Sequence, residues 1–187
     1  MISLFALWMP ILLSAVAVFV ISSIIHMVLR YHNTNYSAVP DEAGVVEALR
    51  KFDIQPGDYV IPHCKDMKEY GTQDYIDRVS TGPVGFLTFV KPGPPSMAGQ
   101  FIQWFIYSIV VGVFVAYITR LTLPAGTEYM TVSRVAGAVA FCGYGLAQIP
   151  NSIWFRRRWS TTVKYLFDAL LYGLFTGGIF GWLWPGA

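Results

Sequence analysis

The chain has 187 residues, of which 55% are hydrophobic, 16% are aromatic and only 13% are charged. Together with a mean hydropathy of +0.49, this excludes an ordinary soluble domain, in which about 25% of residues are charged, and it excludes a disordered tail or a coiled coil. The net charge of +2 supplies no dense basic face, so nucleic acid is not an expected partner.

Four apolar stretches are long enough to cross a membrane, which takes about 20 residues each. We predict spans at about residues 3–29, 101–119, 135–155 and 165–184. The first stretch lacks the positive n-region of a signal peptide, and we expect it to be a retained anchor. The predicted fold is an all-α membrane protein, a four-transmembrane-helix bundle with helix 1 in residues 1–30 and helices 2–4 in residues 101–187.

Residues 31–100 form an insert between helices 1 and 2, with six Lys or Arg and nine Asp or Glu. Asp41 is a plausible N-cap, and apolar residues at helical spacing follow it: Val45, Val46, Leu49 and Phe52. Residues 58–62 and 85–90 have the composition of two short strands bounded by Gly and Pro. We therefore predict a small α+β domain that is marginal alone and rests on the membrane helices or on a partner.

The orientation follows from the distribution of Lys and Arg around the spans. Eleven of the thirteen lie on the side of the insert and of the loop 156–164, and only Arg120 and Arg134 lie on the other side. This predicts an inner-membrane protein with both termini outside and a cytoplasmic insert. The opposite orientation is the alternative.

Small residues recur every fourth position along the fourth span, at Ala169, Gly173, Gly177 and Gly181. The third span carries a similar stripe, at Ala136, Ala140, Gly143 and Ala147. Such stripes let two helices approach closely in lipid. They indicate either packing within one bundle or association with a second copy or a larger membrane complex, and the spacing does not separate the two.

Polar side chains inside the spans are the candidate functional residues, because each is costly in lipid unless it is paired or hydrated. Under the predicted orientation they fall at a similar depth in the cytoplasmic half, which predicts a polar ligand-binding pocket formed by His26, Gln103, Gln148, Asn151, Asp168 and Tyr172. Asp168 is either a structural ion pair or a ligand or proton site. We predict that it is buried between helices with a partner such as His26, Lys164, Asn151, Arg156 or a nearby tyrosine.

Arg156, Arg157 and Arg158 lie between two tryptophans and are candidates for contact with anionic membrane lipids. The same three charges also suffice as a topology signal. Three histidines, no dense carboxylate cluster and two cysteines in unlike settings predict no metal site, no disulfide and no cofactor. The sequence contains no P-loop, GxGxxG, GxSxG or HExxH motif, and no catalytic residue is predicted.

The final hairpin reads Ile149-Pro150-Asn151-Ser152-Ile153-Trp154, followed by a basic loop, an Asp-containing helix and Gly181-Trp182. It resembles the last hairpin of small, uncharacterised bacterial four-helix inner-membrane proteins. The resemblance covers residues 149–185. It implies a bacterial inner-membrane setting and carries no activity.

These features predict a non-catalytic accessory or assembly subunit that packs through its glycine-lined helix faces. The alternative is a carrier or receptor that binds an anionic or amphipathic small molecule or lipid in the polar pocket. A membrane enzyme with His26 as base and Asp168 as its orienting group is a third hypothesis.

Overall fold

The computed structural model describes residues 2–186, and the chain forms two compact units. The first unit combines Met1–Tyr36 with Ser96–Ala187, and the second is Ser37–Pro95. The first is helical. The second contains the two short strands of the described chain.

Four helices of the first unit are long and apolar enough to cross a membrane, as the sequence predicted. They are Leu4–Leu29, Ala98–Thr122, Tyr129–Trp154 and Trp159–Trp182. The third begins six residues before the predicted start and includes Arg134, and the fourth begins at Trp159. The sequence prediction was wrong at these starts because a charged residue marks a change in hydropathy, whereas it does not end a helix.

The first span changes its winding at both ends. A 3₁₀ turn at Leu4–Leu7 leads into α1 (Trp8–Ser23), which continues as a π-helical segment at Ile24–Leu29. Arg30 then adopts left-handed backbone angles (φ 53°), and a 3₁₀ turn follows at Tyr31–Asn35. Arg30 thus ends the helix, and the polar run after it folds as a turn of its own.

The third span is interrupted near its end. It consists of α5 (Tyr129–Tyr144), a 3₁₀ turn at Leu146–Gln148 and the short helix α6 (Ile149–Trp154). Pro150 stands in the first turn of α6, where a missing backbone N–H costs no intrahelical hydrogen bond. The second and fourth spans are the uninterrupted helices α4 (Ala98–Thr122) and α7 (Trp159–Trp182).

Helices α5 and α7 make the most extensive contact in the bundle, and glycines allow it. A Cβ at Gly173 would stand 2.9 Å from the Gly137 carbonyl oxygen, and a Cβ at Gly177 would stand 3.1 Å from the Gly137 Cα. These glycines therefore bring two helix backbones together within the chain. The rest of the core is apolar and includes Leu7, Val18, Val115, Val132 and Phe180.

The second unit contains the predicted helix and both predicted strands. Helix α2 (Glu42–Arg50) is capped by the Asp41 side chain, which accepts a hydrogen bond from Gly44 N at 3.2 Å. Strands β1 (Gly57–Ile61) and β2 (Gly85–Phe89) pair antiparallel, with Gly57 opposite Phe89. A further helix, α3 (Gln73–Thr81), was not predicted, because it carries little apolar surface. The signal for it was the Thr72 side chain, which caps Tyr75 N at 3.3 Å.

The second unit buries little of its own surface. None of the described residues 37–95 is buried, and large apolar side chains remain exposed, among them Phe52, Met67 and Val90. Its folded shape therefore depends mainly on backbone pairing, caps and surface ion pairs. Glu69 shows this best, since it accepts a hydrogen bond from Lys65 N at 2.8 Å and pairs with Arg78.

A candidate ligand site at the end of the helical bundle

Asp168 lies in α7 and is buried, with 1% of its surface exposed. The Tyr31 hydroxyl donates a hydrogen bond to Oδ1, and His32 Nε2 lies 2.7 Å from Oδ2. Both partners belong to the 3₁₀ turn that follows the first span. The prediction that Asp168 is buried between helices with a tyrosine partner is confirmed, whereas its pairing with His32 was not foreseen.

The protonation of His32 follows from the hydrogen bonds around it. Lys164 Nζ, which can only donate, lies 3.2 Å from Asn35 Oδ1. The Asn35 amide therefore turns its Nδ2 towards His32 Nδ1, at 2.8 Å, and donates to it. His32 Nδ1 is thus an acceptor, and its proton resides on Nε2, which donates to Asp168. Lys164, Asn35, His32 and Asp168 form one continuous relay of hydrogen bonds.

Burial shifts the pKa of both residues that hold Asp168. The pKa of His32 lies below its ordinary value because burial disfavours the charged ring, and this outweighs the attraction of Asp168. The relay acts in the same direction, because a proton on Nδ1 would displace the Asn35 amide. Burial likewise raises the pKa of Tyr31, and its hydrogen bond to Asp168 adds to that effect.

His26 lies beside this relay, on the π-helical end of the first span. Its ring stacks on His32, with the ring centroids 4.5 Å apart and the planes 7° from parallel. Its Nδ1 lies 2.9 Å from the Ser22 carbonyl oxygen, an acceptor, so Nδ1 carries the proton and Nε2 is the unprotonated nitrogen.

His26, His32 and Asp168 bring potential metal-ligand atoms within 4.8 Å of one another. The stacking opposes joint coordination, however, because an imidazole lone pair lies in the plane of its ring and two parallel planes do not meet. His26 and Asp168, the base and orienting group of the third hypothesis, are not hydrogen-bonded to each other among the described contacts. Asp168 orients His32 instead, and the acceptor nitrogen of His32 is occupied by Asn35.

A cavity of about 530 Å³ adjoins the relay inside the bundle. This volume is within the range of small-molecule sites, about 300–1,000 Å³. Six of its lining residues are aromatic: Phe101, Trp104, Tyr107, Tyr144, Tyr165 and Tyr172. Its polar lining residues are Ser22, Ser23, His26, Gln100, Gln148 and Asp168. Met27 and Met97 complete the wall.

The aromatic side of the wall is a cluster of contacting rings. The Tyr107 hydroxyl donates to the Gly143 carbonyl oxygen at 2.6 Å. The Tyr144 ring centroid lies 5.3 Å from that of Tyr172 and 6.0 Å from that of Trp104. The cluster therefore gives the cavity an extensive aromatic wall.

Four of the six predicted pocket residues line this cavity, namely His26, Gln148, Asp168 and Tyr172. Asn151 stands behind the wall, where its Nδ2 donates to Gln148 Oε1 at 3.3 Å. Gln103 is exposed and is not among the residues that line the cavity. It follows Gln100 by three residues and precedes Trp104 by one, about 100° around the helix from the lining face.

The predicted lipid patch lies outside the cavity. Arg156 and Arg158 are exposed, whereas the Arg157 guanidinium lies over the Tyr165 ring, 5.0 Å from its centroid. Tyr165 in turn contacts the His32 ring, at 4.9 Å between centroids. One of the three arginines thus supports the wall of the cavity, and two remain available to a membrane surface.

Comparison with known proteins adds no family to this description: no family model, no curated protein and no solved structure matches the chain. The resemblance of residues 149–185 to small bacterial inner-membrane proteins therefore stays a prediction. The fold itself, with four apolar helices of spanning length, is compatible with a multi-pass membrane protein.

Proposed function

We propose that this protein is a multi-pass membrane protein that binds an amphipathic small molecule in the cavity beside Asp168. The observation that carries the proposal is the composition of the wall, in which a large aromatic surface ends at a buried carboxylate and a histidine. A ligand with an apolar body and one polar end matches such a wall. Burial of the body against the rings supplies affinity, and the polar end fixes the orientation.

The distribution of charge around the helical unit supports a cytoplasmic opening. Five of its Lys and Arg residues adjoin the end that holds the cavity: Arg30, Arg156, Arg157, Arg158 and Lys164. Arg120 and Arg134 adjoin the opposite end. By the positive-inside rule the cavity end faces the cytoplasm in this proposal, and the bacterial inner membrane is the setting that the resemblance of residues 149–185 implies.

The test is native mass spectrometry of the full chain, released from a non-ionic detergent, with and without added lipid extract. We expect a retained small molecule in the wild type and its loss in Ser23→Trp, which fills the cavity from the first span. Val20→Trp is the matched control, because Val20 lies on the same helix and is 50% exposed on its outer surface. Equal retention by both variants would refute binding in this cavity.

An accessory or assembly subunit is the second candidate, and the exposed apolar surface of residues 37–95 favours it. Phe52, Met67 and Val90 are 74%, 83% and 78% exposed, which leaves apolar side chains that a partner could cover. The glycine face of α7 is occupied by α5, so a partner would bind elsewhere. Crosslinking in native membranes tests this candidate. A chain that stays a monomer without partners would contradict it.

A further inference from the structure

The cavity wall presents charge of one sign. Asp168 accepts hydrogen bonds on both carboxylate oxygens, as the ionised form does, and it is part of the lining. Within residues 2–186, no Lys or Arg side chain lines the cavity. Lys164, the nearby cation, donates instead to Tyr31 O, Thr34 Oγ1 and Asn35 Oδ1 at 2.8, 2.6 and 3.2 Å. An anionic head group would therefore meet a carboxylate without a compensating cation.

Ring surface makes up much of the wall, and part of its hydrogen-bonding groups is already bonded inside the protein. The Tyr107 hydroxyl donates to the Gly143 carbonyl oxygen at 2.6 Å and Ser23 Oγ donates to the Phe19 carbonyl oxygen at 2.8 Å, whereas Trp104 Nε1 has no hydrogen-bond partner in the described chain. The largest side chains of the wall are aromatic rings, whose faces carry partial negative charge. Strongly hydrated head groups, which need several directional hydrogen bonds to replace their water, fit such a wall poorly.

We infer that the ligand is a weakly hydrated organic cation, a quaternary ammonium or phosphonium compound or an amphiphile with such a head group. This inference rests on the proposed function and specifies its ligand class. The head group interacts with the faces of the aromatic cluster and with the Asp168 charge, while the apolar substituents fill the remaining volume. Aromatic walls are the usual protein environment for such cations, because they attract the charge without requiring hydrogen bonds.

Inorganic cations do not match the same wall. Ca²⁺ and Mg²⁺ require six or more oxygen ligands or retained waters, and the single carboxylate of the lining is already bonded to Tyr31 and His32. The volume of about 530 Å³ likewise suits an organic ion with several carbon substituents.

Tetraphenylphosphonium and tetraphenylborate give a direct test, because they are nearly equal in shape and opposite in charge. We would measure saturable binding of each ion to the full-length protein in dodecyl maltoside by equilibrium dialysis, with excess unlabelled ion to subtract detergent partitioning. The expected result is saturable binding of the phosphonium alone. That binding should vanish in Ser23→Trp and persist in Val20→Trp.

Two further variants separate the charge from the rings. Asp168→Asn should weaken phosphonium binding at least about tenfold, since it removes a unit charge beside the cavity. Trp104→Leu should weaken it about 2- to 30-fold, the range of a cation–π contact. Trp104 suits this purpose because its Nε1 has no hydrogen-bond partner in the described chain, so its removal leaves no acceptor unpaired. Trp182→Leu is the control, as Trp182 is 70% exposed at the other end of the bundle.

The outcomes distinguish the two proposals. Tetraphenylborate binding that Ser23→Trp abolishes would overturn the cationic ligand and leave the cavity as a binding site. Phosphonium binding that neither Asp168→Asn nor Trp104→Leu weakens would also overturn it. If no ion binds and no small molecule is retained from lipid extract, both proposals fail.

Discussion

His32 Nε2 lies 2.7 Å from Asp168 Oδ2, across 136 residues of sequence. This contact fastens the turn after the first span to the fourth span at one end of the bundle. It also places Asp168 between two donors, Tyr31 and His32, so the carboxylate has a structural role as well as its position in the cavity wall. The two roles can be separated by substitution.

Asp168→Leu should destabilise the helical unit, because it leaves the Tyr31 hydroxyl and the His32 Nε2–H without an acceptor. An unpaired buried donor costs about 1–3 kcal/mol. The loss should be smaller for Asp168→Asn, which keeps one acceptor oxygen and should keep the fold. Thermal unfolding in detergent measures both. Adding Tyr31→Phe and His32→Leu to the Leu variant removes the unpaired donors and should recover much of the loss, and no recovery would contradict the pairing.

Burial keeps the pKa of His32 below its ordinary value and the Asn35 amide favours the same neutral ring, whereas an Asp in place of Asn35 should raise the pKa of His32. In the wild type, the lowered pKa of His32 means that, as the pH falls, a His32 ring displaced from this site or in the unfolded chain is protonated before the ring in the folded protein. The contact of His32 is therefore fully stable above the ordinary histidine pKa and weakens as the pH falls below it. In Asn35→Asp the new carboxylate accepts from Nδ1–H and favours the charged ring. The stabilisation from this new ion pair is present at low pH and is lost as the pH rises through the raised pKa of His32.

Nitrogen-15 NMR of labelled histidine would measure the His32 pKa directly, with His32→Gln to assign the signal. The groups that face this ring are Tyr31, Asp168, His26, Lys164 and Tyr165. Asn33→Asp is the matched control, since Asn33 is exposed and lies two residues before Asn35 on the same turn. A His32 pKa that rises equally in both variants would show that charge alone, and not the hydrogen bond, sets it.

The sequence predicted the four spans because long uncharged stretches have few folded alternatives. It also predicted the buried position of Asp168, since a carboxylate inside a span must find partners. His32 was not predicted as a partner of Asp168, for the converse reason. It lies just beyond the first span, in the polar run Tyr31–Asn35, where the sequence gives no reason to expect burial. The π-helical segment and the left-handed backbone of Arg30 direct residues Tyr31–Asn35 back over the bundle.

The cavity illustrates a second limit. His26, Gln148, Asp168 and Tyr172 could be found from the sequence, whereas the other aromatic residues of the wall look like ordinary apolar positions of a span. Which of Gln100 and Gln103 faces inward depends on the rotation of α4 about its axis. That rotation is set by packing against the other helices, and no local pattern in the sequence encodes it.

Glu69 should titrate below its ordinary pKa in the second unit. The Lys65 backbone N–H is the largest cause, and the Arg78 guanidinium adds to it. A lowered pKa means that the contribution of this carboxylate is present above the ordinary value and is lost as the pH falls through the lowered one. The Lys65 amide chemical shift reports the titration. Glu69→Gln should abolish the transition and Glu47→Gln should not, and a midpoint at or above the ordinary glutamate pKa would refute the contact.

Gly177→Ala should destabilise the bundle, because the added methyl group would overlap the Ser133 carbonyl oxygen and stand 3.1 Å from the Gly137 Cα. Both are backbone atoms, so the clash is relieved only by separating α5 from α7. Overpacking of this kind costs about 1–3 kcal/mol.

Gly178→Ala is the matched control one residue away. Its Cβ would meet only the Tyr129 hydroxyl, at 3.4 Å, at the end of a flexible side chain. Helix propensity should then make Gly178→Ala neutral or stabilising, by up to about 1 kcal/mol. Unfolding measured on the monomeric protein decides the matter, since a stripe that served only association with a second chain would leave monomer stability unchanged in both variants.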